Sequence, residues 1–146
     1  MLEAGWGIVA EPRARKYNPE SVVDAQFSMP FGAAVAVMDG AAGLDQFTVQ
    51  KARSQKIREL MNKVVLVKDP RIEETFPQEW PARVTIELGN GQHYEKFVRY
   101  PKGDPENPLS WDEMAAKFRA LTDREPVDLS NPAAIPALCG VELVAP

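Results

Sequence analysis

The sequence predicts an α+β fold: an antiparallel sheet with a β-hairpin, packed by helices on one side. Three observations carry this expectation. The stretch ARVTIELGNGQHYEKFVRYP, residues 82–101, alternates apolar and polar residues on two arms around a Gly-Asn-Gly turn. The stretches AQFSMPFGAAVAVMDG, residues 25–40, and SQKIRELMNK, residues 54–63, place apolar residues at helical spacing behind a serine. Finally, Ser110-Trp111-Asp112-Glu113 reads as a capping box, Ser110 as cap and Glu113 reaching back, ahead of the apolar stripe Met114, Phe118 and Leu121.

Taken in order, the first thirty residues read as an extended or irregular segment from Trp6 to Glu11, followed by a loop, YNPESVVD. In the helix that follows, Ser28 can cap the first turn, Pro30 falls where a missing N–H costs nothing, and Gly40 supplies the stop. Phe31, Ala34, Val35 and Met38 recur at helical spacing, but Ala33, Ala36 and Val37 make nearly every face apolar, as in a helix enclosed on several sides. Ser54 caps the next helix, whose Ile57, Leu60, Met61 and Val64 form an apolar face opposite Lys56, Arg58, Glu59 and Lys63. VVLVKDP then reads as a strand near 64–67, ended by Pro70. In the hairpin, Val84, Ile86 and Leu88 on one arm face Tyr94, Phe97 and the 98–100 end of the other. PKGDPENPLS, with three prolines and one glycine, reads as a stiff extended connection. These elements make one domain over 1–122. Residues 123–146 form a C-terminal tail with a short helix starting near Ser130, interrupted by Pro136.

A chain of 146 residues with 45% hydrophobic content can bury a core without staples. Seventeen basic against twenty-one acidic residues give a net charge of -4, and no basic tract tracks a phosphate backbone, so nucleic acid is excluded as a partner. Arg13, Arg15 and Lys16 read as a solvated loop or strand edge. A lone cysteine, Cys139, permits no internal disulfide and no cysteine zinc cage, which suits a reducing, cytoplasmic setting. The apolar run from Phe31 to Met38 falls well short of the roughly 20 residues that span a bilayer, so no membrane role is expected. The N-terminus has no signal-peptide zones, and MLEAGWGIV begins abruptly, as in a chain entered partway.

Catalytic constellations are few. His93, just beyond the hairpin tip, reads as an exposed strand residue, and no serine or cysteine assembles around it. Nothing adjacent would depress the pKa of Cys139, so it reads as an apolar filler. Glu73-Glu74 and Asp104 with Glu106 read as solvated loop charges, and no metal site or cofactor is implied. GNGQ lacks the lysine and helix of a phosphate loop. Two features stay open. The first turn of the Ser28 helix either is capped by that hydroxyl or receives a carboxylate on its N–H groups with Ser28 alongside. Lys102, beside Gly103 in PKGDPENP, either belongs to a structural strap or clasps an anion or a neighbouring domain.

The succession VVDAQFSMPFGAAVAVMDG, IRELMNKVVLVKDP, ARVTIELGNGQ and VRYPKGDPENPLSWDEMAAKF resembles, in order and approximate spacing, the C-terminal part of the MmgE/PrpD proteins, over about 17–121. That family includes 2-methylcitrate dehydratase, cis-aconitate decarboxylase and iminodisuccinate epimerase. The resemblance implies a cofactor-independent lyase or isomerase built from a large helical domain and a smaller α+β lid, with a di- or tricarboxylate between them. Full-length members are several times longer than the matched piece. This chain then corresponds to most of the lid and the start of the segment that returns to the helical domain. The substrate-binding candidates within this chain are the two features left open above, Ser28 with the first-helix amides and Lys102. The family's lysine and histidine, in a Lys-x-Tyr-Pro type motif, precede the matched region, and His93 does not match them, so no catalytic residue carries over and the isolated chain is expected to be silent. The implied partners are the helical domain, in the parent protein or in a separate chain, and the polycarboxylate. Self-association is expected through an apolar patch left where that domain would dock. The alternative is a non-enzymatic interaction module, or a subunit of a split enzyme.

Overall fold

The computed structural model describes residues 1–122. Its elements in chain order are α1 (Glu3–Val9), α2 (Arg13–Lys16), α3 (Val22–Gln26), α4 (Met29–Asp39), α5 (Val49–Ala52), α6 (Gln55–Met61), α7 (Pro70–Glu73), β1 (Ala82–Glu87), β2 (His93–Val98) and α8 (Trp111–Thr122). Helices and one two-stranded antiparallel sheet make an α+β chain. It divides into two compact units, Met1–Asn107 and a second that begins at Pro108.

The core of the first unit is built by α4 and α6. Ser28 is extended (φ -120°, ψ 106°), its side chain accepts the Phe31 N–H, and Pro30 lies in the first turn. At the far end Gly40 adopts φ 69°, a left-handed stop available to glycine without strain. Phe31, Ala34 and Val35 from α4 meet Ile57 and Met61 from α6, with Ala25 and Ala52 filling between and Phe47 and Leu60 at the margin. The Phe31 and Phe47 rings stand edge to face, centroids 5.5 Å apart. Arg58 ties three segments together: its Nε donates to the Ala52 carbonyl at 3.0 Å and its Nη2 to the Pro19 carbonyl at 3.2 Å.

Burial of α4 is one-sided. Met29, Ala33 and Val37 recur every four residues on the face away from Phe31. Met29 is 41% and Val37 55% exposed, and Met38 is exposed at the helix end. The expectation of a helix enclosed on several sides is corrected accordingly: within this unit one face is packed, and an all-apolar helix keeps a second apolar face open.

Four further expectations are corrected. The first thirty residues hold three short helices in place of an extended segment. α1 carries two glycines that weaken any helical signal, and tertiary contacts hold it: Glu3 N–H donates to the Glu73 carboxylate at 2.9 Å, and Lys68 pairs with Glu3 and lies 4.9 Å from the Trp6 ring centroid. The segment 64–67 is not a strand, because no strand lies alongside it. The Val64 carbonyl accepts from the Tyr17 hydroxyl at 2.7 Å and the Val67 carbonyl from the Met1 ammonium at 2.6 Å, leaving Val65 and Val67 exposed. Among the described residues the sheet is therefore the hairpin alone, and all six residues of β1 and five of β2 are exposed instead of lying under helices. The stretch after β2 folds back on itself and is not extended: Gly103, at φ 107°, donates to the Asn107 carbonyl at 2.8 Å, and the Asn107 amide donates to the Tyr100 carbonyl at 2.9 Å.

Other local signals hold. In the hairpin the Gly91 N–H, at φ 83°, donates to the Leu88 carbonyl, closing the turn. The register sets Ile86 opposite Tyr94 and Ala82 opposite Val98. Phe97 falls on the other face, across from Arg83, whose guanidinium lies 5.2 Å from its ring centroid. In the second unit, Ser110 Oγ accepts the Glu113 N–H at 3.2 Å and Glu113 accepts the Ser110 N–H at 2.8 Å, the reciprocal capping box expected for α8. The predicted helix near Ser130, Cys139 and the rest of the 123–146 tail lie outside the described residues.

Three aspartates tie the first unit together and set its acid response. Asp24 is held below its ordinary value of 3.8 by hydrogen bonds from Ser21 and then Arg15. Lys51 does the same for Asp39, and Arg71, with the α7 cap and Arg83 behind it, for Asp69. A carboxyl whose pKa is lowered on folding stabilises the fold above its unfolded value, and that contribution is lost as pH falls through the lowered folded values. Urea midpoints are thus expected to hold steady at neutral pH and to drop below pH 3.8. A midpoint unchanged on acidification past that point would refute the linkage.

Candidate functional site

The first turn of α4 is fixed by residues on both sides of it. Ser28 is 3% exposed, its Oγ accepts the Phe31 N–H at 3.1 Å, and its hydroxyl donates to the Lys16 carbonyl at 2.5 Å. Of the two readings the sequence left open, the geometry favours the cap: both hydrogen-bonding roles of the hydroxyl are taken within the chain. Gly32 N–H goes to the Ser28 carbonyl, and Pro30 has no N–H. Among the described residues the Met29 N–H has no hydrogen-bond partner, on a residue whose own side chain is exposed.

Lys102 sits elsewhere, exposed on the tight loop between β2 and α8. Two residues before it lies a group that the sequence did not single out. The Tyr100 hydroxyl donates to Glu79 Oε1 at 3.4 Å, and Arg99 reaches the same carboxylate oxygen at 3.4 Å. Partial burial, and then the charges of Glu79 and Glu106, push the Tyr100 pKa up, so the phenol stays protonated and serves as a hydrogen-bond donor. No motif announces this cluster, because Glu79 lies twenty-one residues upstream.

An open cleft of about 390 Å3 lies between α2 and α3, lined by Ala14, Arg15, Asn18, Glu20 and Asp24. The basic cluster read as a solvated loop is in fact helical and engaged here. Arg15 donates twice to Asp24 Oδ1, at 2.8 and 3.1 Å, and Ser21 donates to Asp24 Oδ2 at 2.7 Å. Arg13 stacks on Tyr17 with its guanidinium carbon 3.9 Å from the ring centroid. Arg15 is neutralised by Asp24 and Glu20 leaves the lining net negative, so the cleft offers no attraction to a polyanion.

His93 opens β2 opposite Glu87 and is exposed. Glu73 accepts the Glu3 N–H, while Asp104 and Glu106 lie on the loop after β2. Among the described residues no three His, Cys, Asp or Glu side chains gather in a way that could hold a metal ion, and no helix is long and apolar enough to cross a membrane.

A family model described as the MmgE/PrpD C-terminal domain matches residues 3–128. No curated protein matches the chain.

Proposed function

Because this chain belongs to the MmgE/PrpD family and carries its C-terminal domain, we propose that it forms the lid of a cofactor-independent lyase or isomerase acting on a small di- or tricarboxylate. A 2-methylcitrate dehydratase-like reaction in the cytoplasm is the form we favour. The observation that carries this reading is the family match, which covers residues 3–128 of 146.

Removing a proton beside a carboxylate needs a base, and it needs cations or N–H donors to hold the carboxylates and the charge that develops. This chain supplies donors. In the proposed assembly the first turn of α4 faces the acid, with Ser28 fixing that turn and the Met29 N–H donating to the acid, and Lys102 meets a second carboxylate. The base comes from a helical domain, in the same protein or in a partner chain. Besides the open face of α4, with Met29, Ala33 and Val37, the preceding segment leaves Val23 and Phe27 61% and 49% exposed. This apolar surface favours docking of that domain.

The test is dehydratase activity on 2-methylcitrate and citrate, and decarboxylase activity on cis-aconitate. Each is measured for the chain alone and after addition of a helical domain of the family. Silence alone and turnover on mixing is the expected result. Turnover by the chain alone would place the base within these residues, and silence in every mixture would leave an interaction module as the better reading.

A further inference from the structure

Strand β1 presents an edge that is complementary to itself. Leu88 N–H donates to the Gln92 carbonyl at 2.8 Å, so Leu88 occupies a hydrogen-bonded position of the hairpin. The alternation of an antiparallel ladder then turns the main-chain groups of Ala82, Val84 and Ile86 toward β2 and those of Arg83, Thr85 and Glu87 away from it. Every residue of β1 is exposed, and among the described residues these outward groups have no main-chain partner.

Charge selects the register of anything that pairs with this edge. A two-fold axis through Thr85 sets Arg83 against Glu87 of a second copy, and Glu87 against its Arg83, while Thr85 meets Thr85. On the other face Val84, 57% exposed, meets Ile86, 38% exposed. Centring the axis on Arg83 or on Glu87 would bring like charges together, and a parallel arrangement in register would do so twice. The Arg83 guanidinium leans on its own β2, over Phe97 and 2.5 Å from Glu95, with Asp69 at 3.9 Å, so pairing with Glu87 of the second copy adds a further carboxylate to a cation that is already held.

We propose that β1 pairs antiparallel with β1 of a second copy of this chain, giving a continuous four-stranded sheet across a two-fold axis. The pairing satisfies the open edge, is isologous, and closes at two copies. It gathers Ala82, Val84, Ile86 and Leu88 from both copies on one face. It does not depend on the enzymatic reading.

Sedimentation equilibrium of the full chain tests it, with Thr85→Pro, Glu87→Arg and Arg83→Glu as variants. The wild type is expected to dimerise. Thr85→Pro removes an outward N–H at the axis while sparing the β1–β2 ladder, and should abolish the dimer. Glu87 takes part in no ion pair among the described residues. Glu87→Arg therefore leaves the monomer intact and should weaken the dimer about tenfold through two Arg–Arg pairs. Glu87→Arg mixed with Arg83→Glu restores opposite charges at both positions and should form a heterodimer. If Arg83→Glu unfolds by circular dichroism, the first two variants decide. A monomeric wild type, or a dimer that Thr85→Pro and Glu87→Arg leave unchanged, overturns the proposal.

Discussion

The Phe31→Ala variant is expected to unfold about 3–5 kcal/mol more easily than the parent chain in urea titrations followed by circular dichroism. Phe31 is fully buried, stands edge to face with Phe47, and belongs to the one cluster that joins α4 to α6. The remaining members of that cluster include three alanines, Ala25, Ala34 and Ala52, which cannot move to fill the space an aromatic ring vacates. A domain of this kind has about 5–15 kcal/mol in hand, so the loss removes a large share of it. A change below about 1 kcal/mol would mean that the site collapses freely and that the α4–α6 contact is not the seat of stability.

The second large effect is expected at Ser28. Alanine there removes the α4 cap, a loss of about 1 kcal/mol, and leaves the half-buried Lys16 carbonyl without its hydroxyl donor, which adds a similar amount. The sum of about 2 kcal/mol should appear as a lowered urea midpoint, and Ser28→Thr, which keeps a hydroxyl, should recover part of it. The stability change speaks to the cap alone. In an active assembly with a helical domain, a fall in turnover beyond what the folded fraction explains would add direct contact between Ser28 and the acid. A Ser28→Ala chain as stable as the parent would refute the capping geometry.

What the sequence disclosed, it disclosed through local signals. The Ser28 cap, Gly40 as the stop, the Gly91 turn and the Ser110–Glu113 box each depend on residues within a few positions of one another, and each is in place. What it hid depends on distant partners. VVLVKDP has the composition of a strand, but a strand needs a neighbour, and Tyr17 and Met1 take the carbonyls of Val64 and Val67 instead. α1 has poor helical residues and is held by Glu73 and Lys68, some seventy positions away. The cap of the α4 turn was legible as local chemistry, and the family as a resemblance. The Tyr100, Glu79 and Arg99 cluster was not, because it joins residues from different segments.

Every member of the buried cluster falls between Ala25 and Met61, a span of short helices joined by short loops. The hairpin pairs chiefly with itself and contributes none of those residues. The hairpin and the helical core thus lie in one compact unit yet share no member of that cluster. The strands can part without exposing a member of that cluster, so hydrogen exchange in the ladder is expected to report a local opening at a lower free energy than global unfolding. The same independence makes the hairpin quick to exchange partners while the helical scaffold that carries the α4 turn stays in place.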